Sequence, residues 1–250
     1  MAAALAEGET VIENVAQEPE IKDLADFLNA MGARVRGAGS HCIAIEGVAR
    51  LRGTEFTVIP DRIEAGTWAI AAAITGGDLV IQGASYRHLD ALLGVLVETG
   101  AAVDVVDDGL RVAANGRARA VDISTDPFPG FPTDLQAQFM ALMCVADGSA
   151  RISETVFENR FMHVPELARM GADIQVDGGM ALVRGQSRLT PAPVMATDLR
   201  ASVSLVLAAL ATEGVSEVSR IYHLDRGYSD LEQKLGSCGA KLQRVRGEND

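Results

Sequence analysis

The sequence predicts an α/β fold assembled from small repeated units, and three observations carry that prediction. A helix-like run closes at a glycine four times, at Gly8, Gly77, Gly148 and Gly214. A second glycine, followed by alanine, recurs at Gly32, Gly100, Gly171 and Gly239, spaced by 68, 71 and 68 residues (32 to 100, 100 to 171, 171 to 239). Between these marks apolar residues either alternate, as in strands, or recur at the three- and four-residue spacing of a helix face. A period of about 70 residues is too long for a solenoid repeat and suits a compact unit of strands and helices.

In the first unit Ile21, Leu24, Phe27, Leu28 and Met31 line one helix face, and Gly32 supplies the left-handed conformation that ends it. Only seven residues precede Gly8, whereas the equivalent helix of the second unit spans about sixteen positions from Asp61 to Gly77. The expectation is a first unit that starts inside a helix. The second unit reads strand, helix, strand, helix, strand, strand. Glu55 to Ile59 is β-branched and aromatic, Pro60 breaks it, and a helix starts at Asp61 and runs through Trp68 and Ile70 to Gly76-Gly77. Leu79 to Ile81 is a strand, a second helix ends at Gly100, and Ala102–Val106 and Leu110–Ala113 form a hairpin around Asp108-Gly109.

With 250 residues, 48% of them hydrophobic, the chain can bury one large core or two smaller ones. A net charge of −12 argues against broad attraction to nucleic acid or an anionic membrane, so any anionic ligand needs a local cationic pocket. Cys42, Cys144 and Cys238 are odd in number and far apart, without the paired spacing of a zinc site or a redox dithiol, which fits a reducing cytoplasm. The start lacks the basic and apolar regions of a signal peptide, and no stretch is long enough to span a bilayer.

Two recurring features could carry chemistry. The first helix of the last three units starts with an aspartate, at Asp61, Asp134 and Asp198. Capping explains all three, because Asp or Thr at a helix start with Glu64 or Gln136 three residues later forms a capping box. A general base at Asp134 is the sharper alternative, requiring a carboxylate within hydrogen-bond reach of a substrate hydroxyl. Arginines recur at the turn entering the second helix, at Arg87, Arg160 and Arg226, where free N–H groups and a guanidinium fork suit phosphate or carboxylate. Exposed ion pairs are the plainer reading of these arginines. His163 and His223, near the arginine turns, suit packing or polar surface, and Cys144 suits a buried helix. No Walker loop, dinucleotide fingerprint or aromatic platform for bases is present.

The segment Phe131-Pro-Thr-Asp-Leu-Gln-Ala-Gln-Phe139, with Glu154-Thr-Val-Phe-Glu-Asn-Arg-Phe-Met-His-Val-Pro-Glu-Leu167, closely resembles the signature of UDP-N-acetylglucosamine enolpyruvyl transferases. Pro60–Thr67, Met195–Ser202 and Arg220–Tyr228 extend the resemblance along the whole chain. It implies an inside-out α/β barrel of two domains, each with three copies of the unit, helices inside and sheets outside, and substrates bound between the domains. Residues 1–53 would close the first domain, and 54–250 would form the second, with repeats near 54–117, 118–187 and 188–250. The implied substrates are UDP-N-acetylglucosamine and phosphoenolpyruvate, with no metal or organic cofactor.

By the same resemblance Asp134 matches the carboxylate that contacts the sugar hydroxyl and accepts its proton, and Val156 a backbone contact to the sugar nucleotide. Arg160, Arg200 and Arg226 match cationic residues of the cleft, Arg226 the one associated with phosphoenolpyruvate. A lysine–asparagine pair, further arginines and a loop with a reactive cysteine belong to a family region that this sequence lacks. None of Cys42, Cys144 or Cys238 matches that cysteine. The chain is thus expected to be a carboxy-terminal fragment, inactive alone and completed by an amino-terminal portion. The alternatives are a non-catalytic nucleotide-sugar-binding remnant and the sister 3-phosphoshikimate enolpyruvyl transferase.

Overall fold

A computed structural model describes residues 1–245, so the last five positions of the expected third repeat lie outside the described residues. The chain divides into two compact units, residues 1–61 with 127–130, and residues 62–126 with 131–250.

The first unit holds a single-turn 3-10 helix at Ala2–Leu5, then β1 (Glu9–Glu13), α1 (Pro19–Ala30), β2 (Arg34–Arg36) and β3 (Cys42–Glu46). The strands form an antiparallel sheet in the order β1-β3-β2. Ala25, Leu28, Val35, Ile43 and Ile45 make its core. The expected stripe on α1 is only partly covered: Leu28 is buried, Phe27 stacks on Phe56 with ring centroids 4.9 Å apart, and Leu24 is exposed.

The expected strand at Glu55–Ile59 does not form. Side chains hold this segment where ladder partners would have: Phe56 takes the stacking contact with Phe27, and the Ile59 N–H donates to the Asp23 carboxylate at 3.4 Å. β-propensity without a neighbouring strand edge does not make a strand.

The second unit begins with α2 (Arg62–Thr75), β4 (Asp78–Gln82), α3 (Tyr86–Thr99), β5 (Ala102–Val106) and β6 (Gly109–Ala113). The last two pair as the expected hairpin, Val106 opposite Gly109, and the sheet order is β4-β6-β5. The pattern recurs with β7 (Ile123–Ser124), α4 (Gln136–Val145), β8 (Ser149–Ser153), α5 (Val164–Arg169), β9 (Asp173–Asp177) and β10 (Met180–Arg184), in sheet order β7-β8-β10-β9. A third set has β11 (Pro193–Met195), α6 (Ser202–Leu210), β12 (Glu217–Ser219), α7 (Tyr222–Asp225) and α8 (Leu231–Ser237), with β11 and β12 parallel. The glycines at 32, 100, 171 and 239 all take positive φ, between 86° and 104°, after their helices.

Within this unit α2, α4 and α6 pack against one another at the centre, and the three sheets lie outside them. The composition requires this placement. Every residue from Gln136 to Cys144 and from Ser202 to Ala208 is buried, so these helices are covered on all sides rather than along one stripe. Gly66 allows the close approach: a Cβ there would lie 2.5 Å from Leu135 Cδ1. Cys144 is fully buried in α4, and burial pushes its thiol up to about 12. Among the described residues no helix is long and apolar enough to cross a membrane.

Candidate active site

The first turn of the second repeat's central helix is irregular, and that irregularity shapes the site. Pro132 holds its residue in extended backbone, a 3-10 turn covers Thr133–Leu135, and α4 follows. Neither Thr133 nor Asp134 caps the helix through its side chain. The expected capping box does not close, because both side-chain polar atoms of Gln136 are buried without a hydrogen-bond partner. Asp134 instead meets Arg160, whose Nη2 lies 2.5 Å from Asp134 Oδ1. The Asp134 side chain is 38% exposed and that of Arg160 19%, so the pair is only partly withdrawn from solvent.

Arg160 is held on three sides. Its Nη1 donates to Thr133 Oγ1 at 2.8 Å, its Nη2 to Asp134, and its guanidinium carbon lies 5.2 Å from the centroid of the Phe157 ring. Thr133 Oγ1 donates in turn to Glu154 Oε2 at 2.8 Å. Val156 and Phe157 are exposed at the tip of the loop after β8, and both of their N–H groups donate to Glu154 Oε1, at 3.0 and 2.9 Å. With its N–H so committed, Val156 has its carbonyl left to offer a ligand.

At the third repeat, Asp198 caps in the expected way: its Oδ1 accepts from the N–H groups of Arg200 and Ala201, at 2.8 and 2.7 Å. Arg200 lies over the ring of Tyr228, 5.9 Å from its centroid. The Tyr228 hydroxyl is 3.1 Å from Thr67 Oγ1, and Gln138 Nε2 donates to both oxygens at 3.2 Å, tying the three central repeats together. Gln138 also donates to the Asp134 carbonyl at 3.0 Å. Arg226 follows α7 and is exposed; among the described residues it makes no hydrogen bond or ion pair with Asp134 or Arg160. Its neighbour Gly227 packs against the Arg200 segment, where a Cβ would come 2.7 Å from Leu199 Cδ1 and 3.5 Å from Arg200 Nη1. Asp134, Val156 and Arg160 thus share one cluster, whereas Arg200 packs near Gly227, the residue after Arg226. Arg87 is exposed on α3, outside both.

His163 ends the loop as a fully buried ring, with neither nitrogen hydrogen-bonded. Burial lowers its pKa to about 4, Asp198 pulls it upward and Arg160 downward, so the ring is neutral at pH 7. Glu154 was absent from the sequence-derived candidates. A signal was available: in β8 the buried residues are Ala150 and Ile152, and position 154 continues that inward parity with a carboxylate. Thr67, Gln138 and Tyr228 carried no comparable signal, since their contacts join positions 71 to 161 residues apart.

Comparison with known proteins matches residues 1–235 to a family described as EPSP synthase (3-phosphoshikimate 1-carboxyvinyltransferase). A protein of Methylocella silvestris is 63% identical over 248 residues, covering 99% of this chain and 58% of that relative, and is named UDP-N-acetylglucosamine 1-carboxyvinyltransferase. A protein of Methylobacterium radiotolerans with the same name is 61% identical over 247 residues, 98% of this chain and 58% of its own length. The chain therefore spans 58% of the length of these relatives. Among solved structures, the enolpyruvyl transferase NikO from Streptomyces tendae superposes with a TM-score of 0.85 at 31% identity, over 96% of this chain and 58% of that one. EPSP synthase from Acinetobacter baumannii shares the fold, with a TM-score of 0.72 at 20% identity over 97% of this chain and 59% of that one.

Proposed function

Because the chain belongs to the EPSP synthase (3-phosphoshikimate 1-carboxyvinyltransferase) family, we propose that it serves in transferring enolpyruvyl from phosphoenolpyruvate to the 3'-hydroxyl of UDP-N-acetylglucosamine. Phosphate is released, and the product enters peptidoglycan synthesis in the cytoplasm. The observation that carries this reading is Asp134: a half-exposed carboxylate at a helix start that caps nothing and is held against Arg160. The names of relatives at 63% and 61% identity favour the sugar nucleotide over 3-phosphoshikimate as acceptor.

The chemistry needs these groups. The acceptor hydroxyl adds to the phosphate-bearing enol carbon of phosphoenolpyruvate while the methylene takes a proton and becomes a methyl; loss of a methyl proton and of phosphate then restores the double bond and leaves the enol ether. Asp134 accepts the hydroxyl proton as the carbon–oxygen bond forms. Arg160 orients that carboxylate and offers charge to the nucleotide sugar, while the Val156 carbonyl contacts it. Arg200 and Arg226 form the clamp on phosphate and carboxylate, with Arg226 on phosphoenolpyruvate. In this reading residues 1–53 belong to one domain and residues 54–250 to another, and the proton donor to the methylene lies in the remainder of the protein.

The deciding assay joins this chain to the part of the Methylocella silvestris relative outside the match and measures phosphate release with each acceptor. Release with phosphoenolpyruvate and UDP-N-acetylglucosamine, and none with 3-phosphoshikimate, is the expected outcome. Turnover with 3-phosphoshikimate alone would assign the sister activity, and nucleotide-sugar binding without any turnover would mark a binding remnant.

A further inference from the structure

Glu154 is 8% exposed, and among the described residues no arginine or lysine pairs with its carboxylate. A buried carboxylate is costly unless donors replace its water. Here four do, from three separate segments: the Thr125 hydroxyl at 2.8 Å and the Val156 and Phe157 N–H groups at 3.0 and 2.9 Å on Oε1, and the Thr133 hydroxyl at 2.8 Å on Oε2. Each of these partners gives a proton to a Glu154 oxygen, and a carboxylate, which can accept through both oxygens, takes all four.

Because Thr133 gives its single hydroxyl proton to Glu154, its lone pairs are left for Arg160 Nη1. Through Phe157 the same carboxylate also fixes the ring beneath the Arg160 guanidinium. We infer that Glu154 is the positioning residue of this site: its buried carboxylate orders the Val156–Phe157 loop and, through Thr133, aims Arg160 at Asp134 without itself touching substrate. The inference deepens the reading of Asp134, Val156 and Arg160 given above and rests on it.

The test uses the 250-residue chain, with UDP-N-acetylglucosamine binding followed by calorimetry and amide hydrogen exchange measured without ligand. Glu154→Ala, which removes both acceptor oxygens, should speed exchange at Val156 and Phe157 about 10-fold or more while β10 keeps its protection, and should weaken binding about 10-fold. Thr133→Val should weaken binding similarly yet leave the Val156 and Phe157 amides protected. The double variant should bind no more weakly than Glu154→Ala alone, because the second change cuts a relay already broken. Unchanged affinity in Glu154→Ala, losses that simply multiply in the double variant, or equal loosening of the amides in Thr133→Val would overturn the inference. If Glu154→Ala does not fold, Thr133→Val decides through its affinity, and an unchanged value refutes the relay. If the unaltered chain binds no UDP-N-acetylglucosamine, Glu154 is judged by exchange alone, with unchanged Val156 and Phe157 amides counting against it, and the nucleotide-sugar reading is decided by the phosphate-release assay on the joined protein.

Discussion

The starts of α4 and α6 carry the same Thr-Asp-Leu triplet, at residues 133–135 and 197–199, yet the structure uses the two aspartates differently. Asp198 accepts hydrogen bonds from two backbone N–H groups, and Ser202 Oγ closes the same turn by accepting from the Thr197 and Asp198 N–H groups. Among the described residues the Asp134 carboxylate contacts no backbone donor, and it lies against Arg160. What separates them is the following turn. After Asp198 comes a serine that completes a local cap, whereas after Asp134 comes Gln138, which reaches away to Thr67 and Tyr228. A repeated motif therefore shows where a carboxylate sits, and its neighbours decide whether it is left available for chemistry.

The largest effect should come from exchanging these roles. In the completed protein, Asp134→Asn should lower kcat about 10²- to 10⁴-fold, the usual worth of a general base, while shifting unfolding free energy by less than about 0.5 kcal/mol. Asp198→Ala should cost about 1–2 kcal/mol of stability, the usual worth of a cap. Asp198→Asn keeps the accepting Oδ1 and should retain most of that stability. Phosphate-release kinetics and urea unfolding on the same four proteins read both axes. Equal stability losses at the two aspartates would erase the distinction.

His163 offers a second way to sharpen the comparison, because it feels both Asp198 and Arg160. Its pKa is lowered from 6.5 to about 4 in the folded chain, first by burial. Between those values the unfolded chain binds a proton that the folded chain refuses, so stability falls as pH drops from 6.5 toward 4. The loss at the lower end should be roughly 3 kcal/mol. Asp198→Asn removes the charge that favours protonation and should steepen the loss, and His163→Leu should flatten it. Urea unfolding at pH 7.0, about 5.5 and about 4.5 would show this, and an unaltered slope in His163→Leu would assign the acid sensitivity elsewhere.

Much of the fold was legible because its signals are local. Glycines that end helices, the Asp108-Gly109 hairpin and the apolar run of α4 at residues 139–145 each depend on a few adjacent residues. Glu55–Ile59 failed for the opposite reason: strand formation needs a partner edge, which no local pattern reports. The site divides along the same line. Asp134 and Arg160 recur at marked positions, but the capping box expected at Gln136 is absent because tertiary packing buries that side chain. Arg226 precedes Gly227, which packs against Leu199 and Arg200, a contact between distant positions that no local pattern reports.

The smallest predicted effect concerns what holds the α4 start in place of a cap. The Tyr228 hydroxyl joins Thr67 and Gln138 below the Asp134 turn, and Gln138 passes the restraint to the Asp134 carbonyl. In Tyr228→Phe, Thr67 Oγ1 and Gln138 Nε2 remain 3.2 Å apart and can still bond each other, so only part of the network is lost. The expected cost is about 1 kcal/mol, typical of one buried hydrogen bond whose partners find a substitute. Gln138→Leu should cost more, because it also frees the Asp134 carbonyl, and combining the two changes should give less than the sum. The α6 start has its own Ser202 cap and should be untouched, so amide exchange should rise at Asp134–Gln138 and stay level at Asp198–Ser202. Equal loosening at both starts would mean that the Tyr228 network braces the whole helical core rather than the α4 start in particular.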